Sequence, residues 1–399
     1  MGQDFFTYLP SEMIMNILSR LPIRSIIRCK FVCKSWLDLL ATPEFVKSHL
    51  SKAAPGLALF LYAEHPKPYK FFEFVDKLNL HRRVLHWNMD TVFNFNLPFA
   101  RPLHSSANGL LFLCRRGAGH HDFYKLRQDG AIWPRNLLIC NPITRDYIMI
   151  PRPQESSPKA QLHMDSFGFG VSRMSGQYKL VWRFHEWIRG TRPPGNFAES
   201  ECQVYTVGTG SWRRVGSGGR SLLYIRGNDV GVFLNGNLHW LALEREGSSV
   251  WISCFDLETE LFSTFSPPPL LHRSDTCSRI LSALGECLCL CDNSADDEIV
   301  IWLMKEYGDE KSWTKEFIIP KISPVEYSGI LRPIKVFEKG GILMAWEADS
   351  RVLYFTSKTI AIRKLDLFEL NVDYNVHAIM YTPSFVSLKT FAMENVTSF

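Results

Sequence analysis

The chain lacks the segments that would send it to or across a membrane. No apolar run approaches the roughly 20 residues of a membrane-spanning helix, and the first residues show no basic stretch followed by an apolar run, so no secretory signal is expected. The ten cysteines lack the spacing of a small disulfide-stabilised secreted scaffold. We therefore expect reduced thiols, no membrane partner and a location in the cytosol, the nucleus or both.

An excess of charge of one sign is also missing. The 45 Lys and Arg residues outnumber the 40 Asp and Glu residues by only five, which is a small net charge for 399 residues. The basic pairs Arg82-Arg83, Arg115-Arg116 and Arg213-Arg214 are scattered along the chain and form no stripe. A nucleic-acid partner is therefore not expected.

Catalytic and metal-binding motifs are absent as well. The sequence contains no phosphate-binding glycine loop, no nucleophile elbow and no zinc-binding helix motif. Cys287, Cys289 and Cys291 alternate along a strand, which is poor geometry for zinc and predicts a buried structural role. His120-His121 is interpreted as part of a solvated loop, and His239 as a hydrogen-bonded core histidine. No catalytic residue, metal or cofactor is predicted, and the chain is not expected to be an enzyme.

Length and composition favour two unequal parts. A chain of 399 residues is too long for one ordinary core, and 46% hydrophobic and 13% aromatic residues are ample for burial. The pattern changes from helical to strand-like near residue 52. We predict a helical module over 1–52 and an all-β body over 53–399.

The helical module contains four predicted helices. The first lies between Pro10 and Pro22, because its apolar residues recur at the spacing of one helical face. The second is predicted from Ile23 to Phe31, and the fourth begins at the cap Thr42-Pro43-Glu44. The apolar residues of the first helix are Ile14, Ile17, Leu18 and Leu21; those of the third are Val32, Trp36, Leu37 and Leu40; the basic residues expected to be exposed on the second are Arg24, Arg28 and Lys30.

Helices this short bury little surface alone, so the module needs a partner for its apolar residues. Two interpretations follow from the pattern: a docking module for another protein, or a helical cap on the β body. Leu9-Pro10, the run Ile17-Leu18-Ser19-Arg20-Leu21-Pro22, and Val32-Cys33-Lys34-Ser35-Trp36 resemble an F-box, the motif that binds the Skp adaptor of Skp–cullin–F-box ubiquitin ligases. The resemblance implies that the following residues make or support the adaptor interface: Leu9, Pro10, Ile14, Ile17, Leu18, Leu21, Pro22, Val32, Cys33 and Trp36.

The β body shows internal repetition. Glycine-led apolar strands begin near Gly109, Gly236, Gly285 and Gly340, and the last three of these glycines follow one another at intervals of roughly 50 residues. A period of about 50 residues is typical of a kelch-like propeller blade of four strands. Five or six units fit, and we predict a β-propeller of six blades, with a pair of β-sandwiches as the alternative. Residues 156–170 and 189–198 are predicted to be loops.

A second resemblance covers about residues 57–390. Asn108-Gly109-Leu110-Leu111, Asn141-Pro142-Ile143-Thr144-Arg145, Phe167-Gly168-Phe169-Gly170 and Asn235-Gly236-Asn237-Leu238-His239-Trp240 resemble the F-box-associated domain of plant F-box proteins. The fold class expected for the whole chain is therefore α+β multidomain, with a helical F-box followed by a kelch-like propeller.

The two resemblances together imply a substrate receptor of a Skp–cullin–F-box ligase, which binds Skp, through it cullin, and a target protein of unknown identity. Trp187, Arg189 and Arg192, at the edge of a Gly-, Arg- and Pro-rich segment, are the residues predicted to bind the target. A scaffold outside ubiquitin ligases and a propeller enzyme are the alternatives.

Overall fold

The structure is a computed structural model of the full chain. It describes residues 9–62, 69–73, 91–97, 103–114, 137–153, 160–188, 200–216, 223–225, 230–244, 249–268, 278–321, 330–338, 340–346, 351–356, 361–365 and 375–399. His120-His121 therefore lies outside the described residues, as do Arg189 and Arg192. No helix in the described part of the chain is long and apolar enough to cross a membrane.

The N-terminal module forms four short helices, α1 (Ser11–Leu18), α2 (Ile23–Cys29), α3 (Lys34–Leu40) and α4 (Pro43–Leu50). Thr42 caps α4 as predicted, since its hydroxyl oxygen accepts a hydrogen bond from the Phe45 backbone N–H at 3.3 Å. Three boundaries differ from the prediction. The first helix ends at Leu18, so Leu21 lies in the turn after it. The second helix ends at Cys29 instead of Phe31, and Val32 lies in the turn before α3.

The β body is a propeller of six antiparallel sheets, which confirms the prediction of six blades. Each blade is built mainly from strands that follow one another in the chain. The strands of blades 1 to 3 are β1 (Gly56–Tyr62), β2 (Tyr69–Phe72), β3 (Thr91–Phe95) and β25 (Asn375–Tyr381) in blade 1; β4 (Leu103–Ala107), β5 (Leu110–Leu113), β6 (Leu137–Asn141), β7 (Asp146–Ile150) and β26 (Val396–Ser398) in blade 2; and β8 (Ala160–Val171), β9 (Tyr178–Ile188), β10 (Ser200–Thr206) and β11 (Trp212–Val215) in blade 3.

Blades 4 to 6 follow the same plan. Their strands are β12 (Leu223–Ile225), β13 (Val232–Leu234), β14 (Asn237–Glu244), β15 (Val250–Asp256) and β16 (Phe262–Phe265) in blade 4; β17 (Arg279–Leu284), β18 (Cys287–Asp292), β19 (Glu298–Met304) and β20 (Trp313–Pro320) in blade 5; and β21 (Leu331–Val336), β22 (Gly341–Trp346), β23 (Arg351–Thr356) and β24 (Ala361–Leu365) in blade 6. Strand β8 corrects the prediction of a loop over 156–170, because residues 160–170 are part of this strand.

The core is divided among the spaces between neighbouring blades. In β5, Leu110 and Phe112 pack toward blade 3, whereas Leu111 and Leu113 pack toward blade 1. Both faces of the strand are thus covered, and this explains why the strands have continuous apolar runs in place of a polar–apolar alternation. The three cysteines of β18 lie together against the core between blades 5 and 6, in agreement with their predicted structural role.

Asn-Gly pairs form two of the tight turns that open the repeats. Asn108 and Gly109 have φ values of 41° and 89°, and Asn235 and Gly236 have 53° and 76°. These left-handed conformations are the ones that a two-residue hairpin turn needs, and Asn and Gly adopt them at low cost. The glycine-led repeat in the sequence therefore marks the hairpin at the same place in successive blades.

The ring is closed by strands from both ends of the body. Gly56 at the start of β1 pairs with Tyr381 at the end of β25. The following residues, 382–399, form a C-terminal strap, whose strand β26 pairs with β7 at the outer edge of blade 2. The strap also reaches blade 3, where the Glu394 carboxylate accepts hydrogen bonds from the Tyr205 hydroxyl at 2.8 Å and the Gly208 N–H at 2.7 Å.

The helices and the strap lie on one face of the propeller, which we call the lower face. The Tyr381 hydroxyl at the end of β25 donates to the Gly109 carbonyl at 3.1 Å, and the Tyr178 hydroxyl donates to the Asn108 carbonyl at 3.0 Å. These bonds bring together the end of β25, the β4–β5 turn and the β8–β9 turn. The chain enters β1 at this same face, so the opposite ends of the strands define an upper face.

Candidate functional site

The four helices are two-sided, and their inner side is built into the propeller. Leu18, Ile26 and Phe45 are buried in the same apolar cluster as Phe60 of β1 and Tyr381 of β25. Ile23 and Leu40 belong to this cluster too. The helical module is therefore also a cap on the β body, and the propeller supplies the apolar surface that the short helices need.

Apolar side chains on the outer side are left in solvent. We use the term exposed apolar face for the five large hydrophobic residues of the module that are exposed, Met13, Ile17, Phe31, Val32 and Leu37; Phe31 is the most exposed of them at 84%. These five residues are half of the ten large exposed hydrophobic residues in the described part of the chain, although residues 9–52 make up only about a sixth of that part. Such a concentration in a small module marks an interaction site.

Local helix geometry separates the two sides of α1. Ile14 and Leu18, four residues apart, point inward: Ile14 packs against the buried cluster and Leu18 is only 2% exposed. Met13 and Ile17, also four residues apart, are both exposed, and Ile17 is exposed at 49%. This division follows from the 3.6-residue turn of the helix, which places residues four apart on the same side.

The ten residues implied by the F-box resemblance therefore occupy different environments. Leu18 is buried and supports the module from within, so it is not available to a partner. Ile14, Leu21 and Trp36 are partly buried against the core, and Leu9 is also partly buried. The remaining five are exposed: Pro10, Ile17, Pro22, Val32 and Cys33.

Three residues of the exposed apolar face were not among the predicted site residues. Met13 and Leu37 lie on helices whose inward residues dominate the apolar pattern, and Phe31 lies in the turn after α2. A phenylalanine next to Val32 in a turn is an unusual apolar pair for a solvated connection, and this signal could have identified Phe31.

The helical module is basic. Residues 9–52 contain seven Lys or Arg residues and three Asp or Glu residues, a difference of +4, whereas the whole chain has a net charge of +5. Most of the net charge is thus carried by this small part of the chain. A partner surface of opposite charge would be favoured in the encounter.

A polar cluster joins the first and last helices of the module. The ammonium group of Lys52 donates to the Ser19 hydroxyl at 2.7 Å and to the Ser48 hydroxyl at 3.0 Å, and it lies 3.5 Å from Oδ1 of Asn16. Ser19 follows α1 and Ser48 belongs to α4. The cluster therefore holds α1 against α4 and keeps the exposed side of α1 in place.

Of the predicted target-binding residues, Trp187 belongs to a strand that runs to the other end of the propeller. Strand β9 runs from Tyr178, at the lower face, to Ile188. Trp187 pairs with Gln161 near the upper end of this strand. Arg189 and Arg192 follow it in the chain and lie outside the described residues, so the target-binding set stays a prediction.

His239 is a titratable group inside the propeller with a hydrogen-bond partner at each ring nitrogen. It is fully buried, its Nδ1 donates to the Val232 carbonyl at 3.1 Å, and its Nε2 accepts from the Tyr307 hydroxyl at 2.8 Å. Burial lowers the pKa of His239 to about 4. The ring is therefore neutral and satisfied, which confirms the prediction of a core histidine.

The buried thiols are held in their neutral form. Burial raises the pKa of Cys289 to about 12 and raises that of Cys291 further above its ordinary value. A thiolate is the form that attacks an electrophile or binds a metal. In the described part of the chain, no group of three or more His, Cys, Asp or Glu residues is arranged to hold a metal ion.

Two family models match this chain. The model of the F-box domain matches residues 6–48, and that of the F-box associated beta propeller domain matches residues 130–388. F-box protein CPR1 of Arabidopsis thaliana is 26% identical over 349 residues, which cover 82% of this chain and 76% of that protein. F-box protein At3g07870 of the same plant is 27% identical over 380 residues, covering 87% and 84% of the two chains. Since the propeller match alone spans well over half of its length, the chain belongs to the family of proteins that carry an F-box and an F-box associated beta propeller domain.

Proposed function

We propose that this protein is the substrate-recognition subunit of a Skp–cullin–F-box ubiquitin ligase. The observation that carries the proposal is the exposed apolar face, because it lies on the F-box and the propeller leaves it uncovered. Apolar residues of this size in water are costly unless a partner covers them. The partner is a Skp adaptor, through which the protein is linked to cullin.

The division of labour follows the proposed domains, 1–52 for the F-box and 53–399 for the propeller. Ile17 and Val32 contact the adaptor directly, together with Phe31, Met13 and Leu37 of the same face. Leu18, Ile14, Leu21 and Trp36 support these residues from the inner side. Pro10, Pro22, Leu9 and Cys33 complete the interface.

The target protein binds at the upper face, with Trp187, Arg189 and Arg192 as the residues proposed to contact it. Two bound proteins at opposite faces of one propeller do not compete for space. All six blades have strand ends at the upper face. Connections of different sequence between these ends can therefore change the target without changing the F-box.

The mechanism is proximity. The protein contributes no catalytic group and holds the target near the ubiquitin-loaded partners of the complex. A held lysine reacts as though it were present at high local concentration, and its orientation adds to the rate.

The test compares two isoleucine variants of the full chain for binding to a recombinant Skp adaptor. Ile17→Glu places a carboxylate on the exposed apolar face, and Ile318→Glu places one on β20, where Ile318 is exposed to the same extent, 50% against 49%. We expect the unmodified chain and Ile318→Glu to bind alike. Ile17→Glu should weaken the affinity by about 30-fold or more, as is typical of an interface hot spot.

Both variants must keep the strand-rich circular dichroism and the unfolding temperature of the unmodified chain. Equal binding by Ile17→Glu and Ile318→Glu would contradict the proposed interface. A folded full chain that binds no adaptor would contradict the ligase role and favour a scaffold that uses the same helices for another partner.

A further inference from the structure

One aromatic residue of the C-terminal strap lies within the contact between the F-box and the propeller. The Phe385 ring is 95% buried, and its centroid lies 5.8 Å from that of Phe45 and 5.3 Å from that of His49, both on α4. The ammonium group of Lys30, at the end of α2, lies 4.8 Å from the same centroid. Phe385, near the C-terminus, is therefore enclosed by two helices from the opposite end of the chain.

The backbone around Phe385 is fixed by the propeller. The side-chain amide of Asn141 donates to the carbonyls of Ser384 at 3.0 Å and Val386 at 2.7 Å, the residues on either side. Asn141 is completely buried at the end of β6, and its Oδ1 accepts from the Ile143 N–H at 2.9 Å. Because blade 2 holds both neighbours of Phe385, the position of its ring is set by the propeller.

The C-terminal end of α2 is thereby attached to the strap. Burial lowers the pKa of Lys30, whereas the carboxylate of Asp146 acts in the opposite sense and favours the charged form. Asp146 also forms an ion pair with Lys389 of the strap at 3.2 Å and accepts a hydrogen bond from the Ser398 hydroxyl at 2.7 Å. The cation of α2 therefore faces an aromatic ring and a carboxylate that the strap and blade 2 hold in place.

The N-terminal end of α2 has a separate attachment to blade 1. Glu73, directly after β2, accepts a hydrogen bond from the Ile23 N–H and faces the guanidinium of Arg24. Burial raises the pKa of this carboxyl group, and these two contacts act against the increase. Contacts at both ends of a helix fix the direction of its axis, whereas a contact at one end would leave it free to swing.

We propose that Phe385 is a positioning residue, through which the C-terminal strap fixes the direction of the F-box relative to the propeller. This inference rests on the proposed function, since a fixed direction matters when an adaptor binds the exposed apolar face and a target binds the upper face. The strap then sets the distance between the target and the rest of the ligase. Ubiquitin transfer then depends on the strap through the direction in which the F-box is held.

Two phenylalanines of the strap allow a matched comparison in the full chain. Phe385→Ala removes the ring from between the helices, whereas Phe391→Ala removes a ring that packs on Tyr178 of blade 3, at a centroid distance of 5.9 Å. Hydrogen exchange followed by mass spectrometry measures the protection of α2 and α4. We expect Phe385→Ala to speed their exchange by about tenfold or more while β14 to β20 keep their protection. Phe391→Ala should leave α2 and α4 unchanged.

A distance measurement separates positioning from stability. Spin labels carried by noncanonical residues at positions 12 and 318, on α1 and β20, should give one narrow distance distribution in the unmodified chain and in Phe391→Ala. The narrow distribution should be lost in Phe385→Ala and regained in Phe385→Tyr, which keeps the ring. Unchanged exchange and an unchanged distribution in Phe385→Ala would overturn the inference.

Two further measurements complete the test. If Phe385→Ala does not fold, Glu73→Ala replaces it, because this variant removes the contact at the other end of α2 and should speed hydrogen exchange there. Unchanged exchange at α2 in that variant would overturn the inference. Adaptor affinity of the unmodified chain is measured separately. Its absence would refute the proposed function, whereas exchange and distance are measured without adaptor and report on the strap alone.

Discussion

The Tyr307 hydroxyl donates a hydrogen bond to Nε2 of His239 over 2.8 Å, and this bond joins the β19–β20 turn of blade 5 to β14 of blade 4. The direction of the bond is fixed by the other side of the ring, where Nδ1 must donate to the Val232 carbonyl. The two blades are thus coupled by a histidine that has no free polar atom.

Tyr307→Phe is expected to destabilise the protein by about 1–3 kcal/mol, because it leaves Nε2 of a buried histidine without a donor. Chemical denaturation monitored by tryptophan fluorescence measures the difference. The matched control is Tyr178→Phe, which removes a hydroxyl that donates to a backbone carbonyl at the edge of blade 3. If Tyr307→Phe lowered the free energy of unfolding less than Tyr178→Phe does, the role of the His239 ring as a hydrogen-bond acceptor would be contradicted.

Two buried histidines predict a loss of stability in mild acid. Burial lowers the pKa of both His49 and His239 from 6.5 to about 4, and the charge of Lys52 adds to the effect at His49. The unfolded chain therefore takes up these protons below pH 6.5, whereas the folded chain takes them up only near pH 4. The stability that the two neutral histidines contribute should be fully present above pH 6.5 and be lost as the pH falls from 6.5 to 4. In the middle of this range, the free energy of unfolding should decrease by about 1.4 kcal/mol per pH unit for each histidine.

The variant His49→Phe isolates the contribution of His49 to this loss of stability. It keeps a ring between Phe45 and Phe385 and removes the Nδ1 atom, which is buried without a hydrogen-bond partner. We expect the decrease in denaturant midpoint between pH 7 and pH 5 to be smaller in this variant. An equal or larger decrease would show that His49 is not neutral in the folded state.

Phe31 should matter more for adaptor binding than its absence from the F-box resemblance indicates. Phe31→Asp is expected to weaken the affinity for a Skp adaptor by tenfold or more, as a large apolar side chain at an interface commonly does. Met174→Asp is the control, since Met174 is exposed at 87% on the β8–β9 turn of the propeller. Calorimetric titration should show no change for the control, and a similar loss in both variants would argue against a specific interface.

Gly109 and Gly285 test the contact between the strap and blade 2. Both have left-handed backbone conformations, with φ values of 89° and 63°, so alanine at either position costs about 1–2 kcal/mol in strain. A Cβ at Gly109 would also overlap the side chain of Ser384, whereas a Cβ at Gly285 would point into open space. Gly109→Ala should therefore lower the unfolding temperature clearly more than Gly285→Ala, and equal shifts would contradict the tight fit of the strap.

The features that could be predicted from the sequence are those with local causes. The Asn108-Gly109 and Asn235-Gly236 turns need left-handed residues, and the strands between blades are apolar on both faces, so the repeat of about 50 residues is visible. Strand β8 was missed although its first half, Ala160 to Asp165, alternates apolar and polar residues as a half-buried strand does, because the prediction relied on continuous apolar runs and this segment has none. Its pairing with β9, over residues 178–188, supplies the hydrogen bonds that the local pattern does not indicate.

The candidate site was only partly predictable, because exposure depends on contacts distant in the sequence. Lys30 was expected to be exposed on α2, and it is partly buried because Phe385 lies beside it. The division between Leu18 inside and Ile17 outside also requires the propeller, since an isolated helix presents both residues as one apolar stripe. The spacing of residues in the helical module gives no indication that Phe385 of the strap packs against it.

Closure of the ring by β25 has a consequence for synthesis on the ribosome. Gly56 pairs with Tyr381, so the first blade waits for a strand that is made only after the strands of blades 3 to 6. At the usual rates of translation this interval is roughly 20 to 60 s. Throughout this interval, the emerging chain carries an unpaired strand edge at β1, and its helices lack the ring of Phe385. A premature stop just before β25 would leave the nascent protein in that state permanently, and quality-control machinery that binds unpaired strands would be its first partner.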